Sequence, residues 1–191
     1  MSGLPGSGSN RRYWTGVGAY VFLLLLVQSV MGLGIDKFKE LFGTGTLEVL
    51  AYAIVAAGAS GVVWTGWKVW GRCSAGDRAW IGLALLIYGA GTLSARNPQE
   101  RLHYLGYGLL AALLYVGFAR ARSGITAPGG GPGFVPAAFA LLIGALIGYA
   151  DELLQILWPR RYFDWADVGM NVVAVALGLL VAVPAWRALG R

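Results

Sequence analysis

The stretch YADELLQILWPRRYFDWADVGMN, residues 149–171, decides how this chain is read. It sets four carboxylates (Asp151, Glu152, Asp164, Asp167), two amides (Gln155, Asn171) and two arginines (Arg160, Arg161) between strongly apolar runs. Before it lies Phe134 to Tyr149, rich in Ala, Leu, Ile and Gly; after it, Val172 to Val183 has no polar side chain. Pro159 stands where a helix should stop, because it lacks an N–H and disfavours helix in the residue before it. Asp164 then suits the N-cap of a second helix, with Asp167 near the positive end of its dipole. Two apolar helices joined by a charged connection are a membrane pattern. Ionisable groups at the border of hydrocarbon cost several kcal/mol unless paired or hydrated, so they tend to persist where they work.

The rest of the chain agrees. Of its 191 residues 57% are hydrophobic and 13% charged, whereas soluble domains carry about 25% charged residues. The fold class expected is all-α: a polytopic transmembrane helical bundle of about six spans. The spans read as Tyr13–Gly34, Leu47–Trp67, a short Trp80–Leu93, Leu102–Ala119, Phe134–Leu157 and Ala166–Trp186, against the roughly 20 apolar residues that cross a bilayer. Residues 1–12, Gly/Ser-rich and closed by Arg11-Arg12, read as a disordered tail. The first apolar run is long for a cleaved signal, and no Ala-x-Ala precedes the next polar segment, so it reads as a retained span. Asp36 to Glu40 reads as an amphipathic connector, and Ser123 to Pro132 as a loop. Small residues recur at Ala56/Gly58/Ala59/Gly61, Gly106/Gly108/Ala111/Ala112 and Gly144/Gly148, where they permit close helix approach. The lone Cys73 excludes an internal disulfide.

The net charge of +6 is dispersed in pairs and triplets between apolar runs, as in juxtamembrane loops, so no nucleic-acid partner is expected. Six spans put both termini on one side. Nine basic residues fall on that side and six on the other, which favours cytoplasmic termini in a bacterial inner membrane. Trp14, Trp67, Trp70, Trp80, Trp158, Trp165 and Trp186 cluster near span ends, as interface anchors do.

Three spans then offer polar faces at one end. His103 and Tyr107 are four apart, as are Asp167 and Asn171; Glu152 and Gln155 are three apart and share a face with Gly148. Asp151 projects about 100° from Glu152, so the two acids need not share a pocket. The pattern Glu152-x-x-Gln155, Arg161-x-x-Asp164-x-x-Asp167-x-x-x-Asn171, with Gly178 further on and Arg101-x-His103 and Tyr107 in the preceding span, resembles the signature of the VanZ-like family of bacterial membrane proteins. The resemblance covers about residues 80–185. It implies a VanZ-like transmembrane core over 78–187, preceded by two extra helices over 13–70. The chain departs from the family in having Gly106 where many relatives have a Glu that would partner His103, and Ala174 where a Gly is frequent. The family is named for a protein linked to low-level teicoplanin resistance, and the resemblance implies a fold and a site more than a reaction.

The candidate ligand-binding set is therefore Arg101, His103, Tyr107, Glu152, Gln155, Arg161, Asp164, Asp167 and Asn171. Each has a structural reading beside the functional one. Glu152 and Gln155 can lock onto Arg160 or Arg161, Asp164 and Asp167 can serve as helix caps, and Asn171 can cross-link to Glu152 or Tyr107. With one His and no metal-ligand spacing, neither metal nor cofactor is expected. No Ser or Cys nucleophile or phosphate loop stands near the set. An acid–base step with His103 or Glu152 as the base stays open. Arginines beside carboxylates at a membrane face suit an anionic lipid or cell-envelope headgroup. The expected partners are membrane lipids; the alternative is an accessory transmembrane subunit within a larger membrane complex.

Overall fold

A computed structural model of the chain describes residues 7–94, 98–123, 134–157 and 162–189. Among these there are six helices and no strand: α1 (Ser7–Phe42), α2 (Thr44–Trp70), α3 (Ala75–Ser94), α4 (Pro98–Ser123), α5 (Phe134–Gln155) and α6 (Trp165–Leu189). Among the described residues, three stretches are long and apolar enough to cross a membrane: Arg101–Arg122, Phe134–Gln155 and Trp165–Leu189.

α4 is the hub, packing against every other helix and most extensively against α6. Its buried residues Tyr107, Leu110, Ala111, Leu114 and Tyr115 recur at three- and four-residue steps, so one broad stripe faces the core. Ala140 of α5, Ala174, Val175 and Leu179 of α6, and Val17 and Leu24 of α1 fill the facing side. A second small core of Val69, Cys73, Ile81 and Ala188 ties the end of α2 and the start of α3 to the end of α6.

Glycine sets the closest approach. A Cβ at Gly178 would overlap the carbonyl oxygen of Gly108 and lie 2.8 Å from its Cα, so the main chains of α4 and α6 touch there. The α1–α2 connection is the single residue Gly43, at φ 81° and ψ 157°, a conformation a side chain resists. Pro136 falls in the first turn of α5, where its missing N–H costs nothing. Pro184 lies inside α6 and is buried, as membrane helices tolerate when neighbours cover the freed carbonyl.

Several sequence expectations change. Asp36 to Glu40 is no connector, because α1 continues unbroken to Phe42. α1 also begins at Ser7, inside the expected tail. α3 is longer than the short run from Trp80, starting at Ala75. A capping box explains the extra turn. Ser74 Oγ accepts from Asp77 N–H at 3.1 Å, while Asp77 Oδ2 accepts from Ser74 N–H at 3.1 Å and its hydroxyl at 2.7 Å. The expected loop at 123–132 lies outside the described residues apart from Ser123, which closes α4.

α1 is seated on α4 by two phenols. Tyr13 Oη donates to the Leu113 carbonyl at 2.6 Å and Tyr20 Oη to the Gly106 carbonyl at 2.9 Å. Basic residues gather where the cores of α1, α4 and α6 end: Arg120 lies 4.7 Å from the Tyr13 ring centre and 5.8 Å from that of Trp186. Lys68 likewise stands over Trp64 and Arg78 over Trp70. The polar residues of α4, α5 and α6 lie at the opposite end.

Candidate functional site

At that opposite end, the first turns of α4, the last of α5 and the first of α6 bring six polar side chains together. His103, Tyr107, Asp151, Glu152, Gln155 and Asn171 are each no more than 4% exposed. Such burial inside apolar helices is expensive unless the groups satisfy one another. His103, Tyr107, Asp151 and Asn171 are bonded across helices, and Gln155 pairs with Glu152 within α5.

Asn171 is the centre. Its Nδ2 donates to the Gly148 carbonyl at 3.4 Å, so its Oδ1 is left to accept, and it stands 3.0 Å from His103 Nδ1. The ring proton therefore sits on Nδ1, and a neutral His103 carries its lone pair on Nε2. One helical turn on, Tyr107 packs beside the imidazole with ring centres 6.0 Å apart and planes 21° from parallel. Its hydroxyl donates to Asp151 Oδ2 at 2.9 Å. Gly148 makes the room, because a Cβ there would lie 2.8 Å from Asn171 Cβ and 3.4 Å from Tyr107 Cε1. On α5, Gln155 Nε2 donates to Glu152 Oε1 at 2.9 Å, and Glu152 Oε2 accepts the Asp164 N–H at 3.4 Å. Glu152 thus holds the start of α6 against the end of α5.

Asp164 is the N-cap of α6. Its Oδ1 accepts from Ala166 N–H at 2.7 Å and its carbonyl from Val168 N–H at 3.2 Å. Asp167 lies half-buried in the first turn, where the dipole favours an acid. Arg101 reaches α2, its guanidinium 4.6 Å from the Tyr52 ring centre. Arg161, with Arg160, lies outside the described residues.

One reading from the sequence is corrected, and one that spacing left open is resolved. Asn171 bonds to His103 and Gly148, not to Glu152 or Tyr107; on each partner helix the bonded residue is the one a turn earlier in sequence. Asp151 does share the cluster with Glu152. α5 lies in the groove between α4 and α6, so its buried face is wide enough to take both acids. Asp151 is the residue that spacing missed, and the signal for it was Tyr107, whose hydroxyl needs an acceptor at that depth.

The departure at Gly106 has a physical counterpart. A Cβ there would lie 2.7 Å from Leu24 Cδ1, so α1 occupies the space a longer side chain would fill. His103 finds its partner across the bundle instead.

A cluster of aromatic rings closes the outside of this end. Phe163 and Trp165 meet edge to face with centres 4.8 Å apart, and Tyr149 stacks on Trp165 at 6.1 Å. Trp165 is 71% exposed, as an interface anchor would be.

The family model described as VanZ/LLP1 matches residues 82–187. The chain belongs to the VanZ/LLP1 family. The VanZ/LLP1 match bears out the resemblance and holds every residue of the buried cluster, running from α3 to the end of α6. It leaves α1 and α2 outside. With three helices suited to crossing a bilayer, the chain is a VanZ/LLP1 membrane protein. No curated protein and no solved structure matches it.

Proposed function

We propose that this VanZ/LLP1 protein crosses a bacterial inner membrane six times, termini in the cytoplasm, and uses the cluster at the outer end of α4, α5 and α6 to bind a lipid or cell-envelope headgroup. The observation that carries the reading is the convergence of His103, Tyr107, Asp151, Glu152, Gln155 and Asn171 from three helices at one depth. Packing alone would be served as well by apolar side chains, since replacing buried polar groups by hydrophobic ones is often neutral or stabilising. Their retention at the rim therefore supports a use beyond packing. Asp151, Glu152 and the Asn171 oxygen accept hydrogen bonds, which suits a headgroup bearing hydroxyl or amine donors. Arg101 near the same end suits its phosphate. Nε2 of His103 is the position for a base, should a bond be made or broken there.

The test is mass spectrometry of the full chain released from its native membrane in mild detergent. A co-purifying lipid is expected on the wild type and lost from Asn171→Ala and Glu152→Gln, with both variants inserted and monodisperse. If the variants keep the lipid, or merely vanish from the membrane, the cluster is a structural lock and the binding role falls.

A second reading, an accessory subunit of a larger complex, is supported by α2, whose Val49, Ile54, Trp64 and Trp67 remain exposed. A stoichiometric complex in a mild-detergent pull-down would favour it, and a lone monomer or dimer would count against it.

A further inference from the structure

The geometry points to a second lipid site at the end opposite the buried cluster, where Arg120 and Arg187 hold the phosphate of an anionic phospholipid. The helices bring the cations together. α1 begins there with Arg11 and Arg12, α2 closes with Lys68, and α4 and α6 close with Arg120 and Arg187. Among the described residues one acid, Asp77, lies near them, capping α3 through Ser74, so the patch keeps a net positive charge.

Arg120 is the fixed point. Its guanidinium is held by the rings of Tyr13 and Trp186, 4.7 and 5.8 Å from their centres, while the residue stays exposed. A stacked guanidinium keeps its edge N–H groups directed outward, the arrangement that takes a phosphate through two parallel hydrogen bonds. Arg187 follows Trp186 directly in the sequence.

A second observation points the same way. Tyr115 is fully buried, and its hydroxyl has no hydrogen-bond partner among the described residues. A buried donor without a partner is costly, and a polar headgroup reaching in from this end would satisfy it. Arg120 and Arg187 thus offer two cations where α4 and α6 end, with the unsatisfied Tyr115 hydroxyl further in along α4, next to ring systems that pack on acyl chains near the glycerol level. Anionic leaflets attract such groups, each basic residue near the surface strengthening binding about fivefold.

The experiment uses the full chain in mixed micelles of phosphatidylglycerol and phosphatidylcholine, with retained lipid counted by native mass spectrometry. The wild type is expected to retain phosphatidylglycerol in preference and to lose it as salt rises. Arg120→Gln and Arg187→Gln are each expected to weaken retention about fivefold. Arg120→Lys keeps the charge and should retain most of it, and Lys37→Gln, at the other end, should change nothing. Equal retention of the two lipids, salt-insensitive retention, or unchanged binding in Arg120→Gln and Arg187→Gln would overturn the proposal. Displacement by millimolar inorganic phosphate would assign the site to a free anion and overturn it equally. The site is independent of the buried cluster, whose variant Asn171→Ala should leave this retention intact.

Discussion

At the scale of single residues, Asn171 does the most with the least. One amide ties α6 to the His103 ring on α4 and to the Gly148 carbonyl on α5, and in doing so fixes which imidazole nitrogen is protonated. A hydrogen bond between membrane helices is worth about 1 kcal/mol. His103→Ala and Asn171→Ala should therefore each lower stability, and the double variant should fall short of the summed losses by about 1 kcal/mol in a double-mutant cycle of detergent unfolding. Strict additivity would mean that the pair does not form. His103, Glu152 and Asn171 were all legible as site candidates, because a polar residue inside an apolar run has few other reasons to be there. The partner of each was not. Helical spacing gives a direction around one axis, whereas pairing depends on where three axes cross. Asp151 was missed for the same reason: a two-sided groove buries more of α5 than one face.

At the scale of elements, glycine decides which helices meet. Gly178 lies on the Gly108 main chain, so Gly178→Ala forces the two backbones apart, an overpacking that costs about 1–3 kcal/mol. Gly82→Ala, where nothing lies within 4 Å, should be neutral or slightly favourable through helix propensity. Fluorescence-detected size exclusion on heating checks both. Equal behaviour of the two variants would remove the α4–α6 crossing as the stability centre. The small-residue runs on α4 and α5 were visible in the sequence as close-approach surfaces, but the sequence could not say which partner each one took. The stop at Pro159 and the Asp164 cap were read from local chemistry, and the cap is formed. Local chemistry failed at Asp36 to Glu40, where helix continued through charges because nothing there breaks it.

At the scale of the whole molecule, most of the described basic residues lie toward the end that holds the N-terminus of α1 and the C-termini of α4 and α6, while the buried acids gather at the other. A reporter fused after residue 191 should fluoresce as a cytoplasmic green fluorescent protein and be inactive as alkaline phosphatase, as the proposed orientation requires. The reverse pattern would turn the molecule over and move the headgroup cluster to the inner leaflet. Membership of the VanZ/LLP1 family was legible because its spacing survives in one contiguous region, whereas the seating of α1 on α4 depends on two phenols meeting distant carbonyls. The touching backbones at Gly108 and Gly178 have one more consequence. With no side chain between the two backbones there is nothing to slide or re-pack, so the crossing acts as a pin, and loosening His103 from Asn171 on one side of it should leave Arg120 seated beside Trp186 on the other.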